Sequence, residues 1–201
     1  MVKRIAVDRC CGVLVDYQDF FLAQLEGRSR ARLQENTQNL LRLLGYFRIP
    51  VIATLERPVG HKGAVPDDIK RHLGHSGKVF EKDFFDLTRE KPIRAHLKRL
   101  KKTQAIVAGC ETDVFVLQSC LGLLELGFEV FAVEELLFSS ARDVDAALKR
   151  LRSERDRPVV QDAVLRADRS RVGWTACGKD DRRIRRVSGR SAGRGGDLIA
   201  G

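Results

Sequence analysis

The chain predicts an α/β protein, a three-layer α/β/α sandwich around a mainly parallel sheet, and three observations carry that prediction. Short apolar runs alternate with amphipathic segments of helical period through the first 150 of its 201 residues. The apolar runs are continuous rather than alternating, as strands covered on both faces require. Charged or small polar residues stand where those runs end, and open α/β sheets bind ligands beyond the carboxyl ends of their strands.

Taken in order, "CGVLVDY" (11–17) is a buried strand ending on a carboxylate. "RARLQENTQNLLRLLGYFR" (30–48) places Leu33, Leu40, Leu41, Leu44 and Phe47 on one helical face. "IPVIATLE" (49–56) is a second strand with Pro50 at its start, where proline is tolerated. "KVFEK" (78–82) is a short third strand, and "EKPIRAHLKRLKK" (90–102) is a helix with Pro92 in its first turn. "TQAIVAG" (103–109) is the fourth strand. Thr112 or Asp113 caps the helix that follows, which runs to about Glu125 and stops at Gly127. "FEVFAVE" (128–134) is a fifth strand, and Ser139 or Ser140 caps a helix over 141–152.

After Arg152 the pattern breaks. The remaining stretch, 153–201, is rich in Arg, Gly, Ser and Asp, has no sustained period, and reads as an irregular tail beyond a domain of residues 1–152. From Arg152 to the end there are twelve Arg and one Lys against seven acids, so the tail region supplies +6 of the net +10 charge. Nucleic-acid modules interleave basic residues with aromatics or show a recognition motif. Neither occurs here, and Trp174 is the tail's one aromatic residue, so nucleic acid is not the expected partner. A weaker class of function is contact with acidic partners through the arginines.

No apolar run approaches the length of a membrane span, and "MVKRIAVDRCC" has no long apolar stretch of the secretory kind. The five cysteines, Cys10, Cys11, Cys110, Cys120 and Cys177, are odd in number and form no C-x-x-C pair. Reduced thiols and a cytoplasmic location are the expectation.

Asp16, Lys82 and the turn 110–115 all fall at carboxyl ends of strands. Singly, a strand-end aspartate can cap a turn and a strand-end lysine can be a solvated charge. Together with a helix N-terminus they make a reactive layout. The free N–H groups and dipole of such a helix favour negative charge, and a cysteine in that turn would be a lowered-pKa nucleophile. A carboxylate could take its proton and the amides could cradle an oxyanion.

Over residues 11 to about 152 the chain resembles the isochorismatase-like cysteine hydrolases, which have a Rossmann-like sheet. The motifs are "GVLVDYQDFF", "VFEKDFFD" and "VAGCETDVFVLQSCLGLLELGFEVFAVEE", the last being the most specific. The resemblance implies a catalytic aspartate at Asp16, a catalytic lysine at Lys82 and a nucleophilic cysteine at the position that holds Phe115. It also implies a cis peptide joining Cys110 to Glu111, with the amides of Glu111 and Phe115 as the oxyanion hole.

Phenylalanine has no nucleophilic atom, and its ring would fill the space where a thioester must form. The expected state is therefore a degenerate, plugged site with Asp16 and Lys82 left as an ion pair. The alternative is an active hydrolase of small amide, carbamoyl or related C–N or vinyl ether substrates, using Asp16 and Lys82 without the usual thiolate. Cys120 lies about 140° round the helix from position 115 and Cys110 precedes the helix, so both read as small buried hydrophobes.

No metal or cofactor is expected. The Asp-x-His motif of the nicotinamidase branch is missing from "LERPVGHKGAVPDD", and His72 and His75 alone make a poor site. His61, in a loop, is a weak substrate-side candidate.

The family's sixth strand and last helix cannot be read in the tail. "VLRADRSRV" can be encoded by a nucleotide string whose neighbouring frame reads "CYELIEAV", which resembles that last helix; a frameshift would account for it, and the gene's codons decide. Losing those elements would expose a sheet edge, which predicts poor solubility or a homo-oligomer.

Overall fold

In the computed structural model, residues 4–74, 77–140, 144–153 and 160–161 are described, all within the unit Met1–Leu165. The apolar runs become strands β1 (Cys10–Val15), β2 (Val51–Glu56), β3 (Lys78–Lys82), β4 (Gln104–Cys110), β5 (Glu129–Phe138) and β6 (Val160–Gln161). They form one sheet in the order β3-β2-β1-β4-β5-β6, every neighbouring pair parallel. β1, β2 and β4 are buried along their whole length, which is why their sequences are unbroken apolar runs.

Long helices α2 (Gly27–Tyr46), α5 (Lys91–Leu100), α6 (Leu117–Glu125) and α7 (Val144–Ser153) lie close to their expected positions. On α2, Leu33, Leu40, Leu41 and Leu44 are buried, as their spacing predicts. Three single-turn helices carry too few residues to show a period: α1 (Asp19–Leu22), α3 (Val59–Lys62) and α4 (Asp67–Lys70).

Two expectations need correction. Neither Thr112 nor Asp113 caps a helix. Glu111 is the N-cap residue, and the next turn, Thr112–Val116, is π-helical, with the Val116 N–H donating to the Glu111 carbonyl at 3.0 Å. The hydroxyls of Ser139 and Ser140 reach the Glu111 carboxylate; α7 is described from Val144, and the cap expected of Ser139 or Ser140 falls on a junction outside the described residues. The sixth strand exists, past the boundary at 152, and its described residues Val160 and Gln161 lie beside Ala132 and Val133. The frameshift reading and most of the tail fall outside the described residues.

Candidate active site

The parallel sheet brings the ends of β1, β3 and β4 to one edge. Asp16 follows β1 directly at φ 43°, a left-handed conformation uncommon for any residue with a Cβ. Thr54, in the middle of β2, holds it twice: the Asp16 N–H donates to Thr54 Oγ1 at 3.1 Å, and that hydroxyl donates to Asp16 Oδ1 at 2.7 Å. One Ser/Thr hydroxyl can accept and donate at once, so this pairing uses Thr54 fully.

Close strand approach sets the position of Asp16. Gly109, at φ 135°, packs so tightly that a Cβ there would lie 2.0 Å from the Val15 carbonyl oxygen. Only glycine lets β4 come this near the backbone that leads into Asp16.

Lys82 ends β3. The earlier part of this edge strand is largely exposed, but Lys82 itself is completely buried, as is Asp16. Lys82 Nζ lies 2.6 Å from Asp16 Oδ2 and donates to the Phe84 carbonyl at 3.1 Å. Burial pushes the Asp16 carboxyl above its ordinary range, and the Lys82 charge and the Thr54 hydrogen bond pull the other way.

Phe115 stands in the π-helical turn with 6% exposure, its ring centroid 4.2 Å from Lys82 Nζ. That distance is within cation–π range. Phe21 and Phe85 pack edge-on against the same ring at 5.6 and 5.4 Å. Asp16, Lys82 and position 115 therefore share one site, and the benzyl group lies directly against the ammonium.

Cys110 and Cys120 are fully buried and unpaired. Burial raises the Cys110 thiol well above its ordinary range, with help from the charges of Glu111 and Asp16, and pushes Cys120 up to about 12. Neither is poised as a thiolate. The cis bond expected between Cys110 and Glu111 is absent: that peptide is trans, β4 continuing through Cys110 in register with Phe138, and the cis bond among the described residues is Arg57–Pro58. The Glu111 side chain turns from this site toward β5, where Oε2 accepts from Ser140 N at 2.8 Å and from the hydroxyls of Ser139 and Ser140 at 2.9 Å. Asp113 meets the same Ser139 hydroxyl.

His61 is exposed, its ring 5.3 Å from that of Phe20. His75 lies outside the described residues. Among the described residues no group of three or more His, Cys, Asp and Glu side chains is arranged for a metal. Sequence reasoning missed Thr54, Gln18 and the rings of Phe21 and Phe85. A polar residue inside the apolar run "VIATLE" was the available signal for Thr54. Gln18 is buried and ties the end of β2 to the end of α3, accepting from Glu56 N at 2.7 Å and donating to Gly63 O at 2.8 Å.

The sequence matches a known family: an isochorismatase domain model fits residues 10–162. The chain belongs to the isochorismatase family. Isochorismatase family protein 1A of Dictyostelium discoideum is 31% identical over 117 residues, 56% of each chain. The matched stretch thus spans little more than half the length of that curated relative. YcaC from Pseudomonas aeruginosa, solved with hexane-2,5-diol and covalent acrylamide, superposes with a TM-score of 0.69 at 26% identity and 75% coverage of both chains. Escherichia coli YcaC, an octameric hydrolase of unknown specificity, gives 0.69 at 23% identity over 75% and 74%. A MAR1 ribonuclease from Caenorhabditis elegans gives 0.67 at 26% identity over 74% of each chain. Among the described residues of this isochorismatase-family chain, no helix is long and apolar enough to cross a membrane.

Proposed function

We propose that this chain is a catalytically silenced isochorismatase-family protein that keeps the family's charged pair, binds a small molecule and works as a homo-oligomer in the cytoplasm. One observation carries the reading: the Phe115 ring lies 4.2 Å from Lys82 Nζ, at the position where the family resemblance puts the nucleophile. Acyl transfer through a thioester needs a sulfur there, and a benzyl ring offers neither a lone pair nor room. Asp16 and Lys82 then neutralise each other instead of serving an incoming substrate. The P. aeruginosa relative holds acrylamide covalently, which requires a nucleophilic atom; position 115 has none. The octameric E. coli relative supports assembly. Four cysteines that are buried and unpaired support a reducing compartment.

The test compares the parent with Phe115→Cys on small amides, carbamoyl compounds and, because one relative is named a ribonuclease, a short RNA. The parent is expected to show no turnover above background. The cysteine variant should gain hydrolysis on at least one of the small compounds and lose it again when Asp16→Ala is added. Iodoacetamide should alkylate position 115 of that variant while buried Cys110 and Cys120 stay unmodified until the chain unfolds. Parent activity that vanishes with Asp16→Ala or Lys82→Ala would overturn the silenced reading in favour of hydrolysis without a thiolate.

A further inference from the structure

We propose that the exposed face of α5 is a docking surface for double-stranded nucleic acid, held through its phosphates alone and away from the ion-paired site. The helix and the link after it, "KPIRAHLKRLKK" (91–102), carry six Lys and Arg and no acid. Ile93, His96 and Leu97 are buried, whereas Lys91, Arg94, Lys98 and Lys101 are exposed. The first three of those cations fall within about 60° of arc, about 4.5 and 6 Å apart along the axis. Lys101, at the C-cap, continues the line. The stripe then reaches the turn Val7–Arg9, where Lys102 Nζ donates to the Asp8 carbonyl at 2.6 Å and Arg9 Nε donates to Thr103 Oγ1 at 2.9 Å.

Nothing in the fold asks for these charges. No Lys or Arg of the stretch 91–102 meets a carboxylate among the described residues, whose ion pairs lie elsewhere. Like charges three or four apart on a helix repel, as Lys91 does Arg94, Arg94 does Lys98 and Lys98 does Lys102. The helix dipole accounts for Lys98 and Arg99 in the last turn, but it disfavours Lys91 in the first, where no acid stands. The same field reaches inward: burial first, then the charges of Lys78 and Arg99, hold His96 below its ordinary range. A surface that repels itself is relieved by an anion brought from outside.

The make-up of the stripe selects the anion. The exposed residues of α5 that are not basic are Pro92 and Ala95. The face thus offers no ring for an unpaired base to stack on, and no large apolar side chain to enter a bilayer. A protein partner would need an apolar anchor at the centre of the contact, and Ala95 is too small to be one. A duplex strand presents a phosphate about every 3.4 Å of its axis, so a straight line of cations can meet several at once. Phosphate contacts position a protein without reading sequence. The aromatics and motifs that the sequence lacks are those of base readout, and this face needs none of them.

Fluorescence anisotropy with the full chain and a labelled DNA duplex of roughly 20 base pairs is the test. Micromolar binding is expected at physiological salt, equal within about twofold for a second duplex of unrelated sequence. Lys91→Gln, Arg94→Gln and Lys98→Gln combined should weaken it at least about tenfold and flatten the salt slope by about 3, one per lost phosphate contact. These side chains are exposed and glutamine favours helix, so this variant should melt no lower than the parent. The arginine-rich stretch is tested by Arg182→Gln, Arg183→Gln, Arg185→Gln and Arg186→Gln together, which should weaken binding less than the α5 variant does. Binding that is lost with those four and kept in the α5 variant would overturn the inference and assign the duplex to the tail. No duplex binding by the parent would overturn it as well, and so would an α5 variant that melts well below the parent, since the charges would then serve the fold. Phosphatidylserine vesicles or poly-glutamate held more tightly than the duplex, and released by the α5 variant, would overturn it in favour of a membrane or an acidic protein.

Discussion

Along β1 and β4 six consecutive residues pair in unbroken register, from Cys10 with Gln104 to Val15 with Gly109. Beyond Val107 the pairing of β4 with β5 loses step, jumping from Ala132 to Leu137, and among the described residues β5 meets β6 at Ala132 and Val133. Asp16, Lys82 and Phe115 all hang from the regular half, built of β3, β2, β1 and β4. The irregular half faces Glu111, Asp113, Ser139 and Ser140, side chains that take no part in the ion pair. The difference teaches that the charged site and the C-terminal end of the sheet are separately supported. Irregularity on one flank need not disturb the other.

The sharpest way to break that picture is at Gly109, where the two halves meet. An alanine there would place its Cβ 2.0 Å from a backbone oxygen of β1 and would also sit at φ 135°, where side chains are strained. A carbonyl in a strand cannot step aside as a flexible side chain can. Gly109→Ala should lose more than about 5 kcal/mol or fail to fold, as judged by urea denaturation. A loss under 1 kcal/mol would show that β1 and β4 have slack at Asp16.

Next in size is the ion pair. Lys82→Met leaves the Asp16 carboxylate buried without its ammonium and should cost about 3–5 kcal/mol near neutral pH. The cost should depend on pH in a definite direction. Burial already holds Asp16 above its ordinary 3.8. A carboxyl raised on folding contributes stability below its unfolded pKa and loses that contribution as pH rises through the folded value. Removing Lys82, which lowers the Asp16 pKa, widens that window upward. The penalty should therefore shrink on acidification toward pH 4, where Asp16 takes up a proton and no bare charge remains. A penalty that is flat with pH would mean that lost packing of the lysine stem, not charge, is responsible.

The regular half was also the legible half. Continuous apolar runs bounded by turn residues located β1 to β4, and the strand-end positions of Asp16 and Lys82 were readable because parallel strands must deliver their ends to one edge. Contacts between distant residues were not readable. Thr54 lies 38 positions from Asp16, and Phe21 reaches Phe115 from α1 while Phe85 reaches it from the loop after β3, so nothing in the local pattern announces them. The wide turn at Glu111 was misread as an ordinary capped helix, because "ETD" satisfies a capping pattern whichever residue the backbone uses. β6 was missed because Val160 and Gln161, its described residues, show no period, and their identity as a strand comes from the neighbour they pair with.

The smallest expected effect tests the contrast between the halves directly. Amide hydrogens exchange through local openings wherever these cost less than unfolding the whole domain. In β1, the central strand, ladder partners lie on both sides over Gly12–Leu14. In β5 the register shift interrupts the β4 side just before Leu137 and Phe138, and among the described residues β6 pairs with Ala132 and Val133 instead. Native-state exchange should show Val13 and Leu14 protected at least about tenfold more than Leu137 and Phe138, a gap of about 1.4 kcal/mol in opening free energy. The gap should persist in Lys82→Met if the far flank is supported independently of the ion pair. Were β5 instead to lose protection in step with β1 in that variant, the sheet would open as one unit and the two halves would be energetically a single structure.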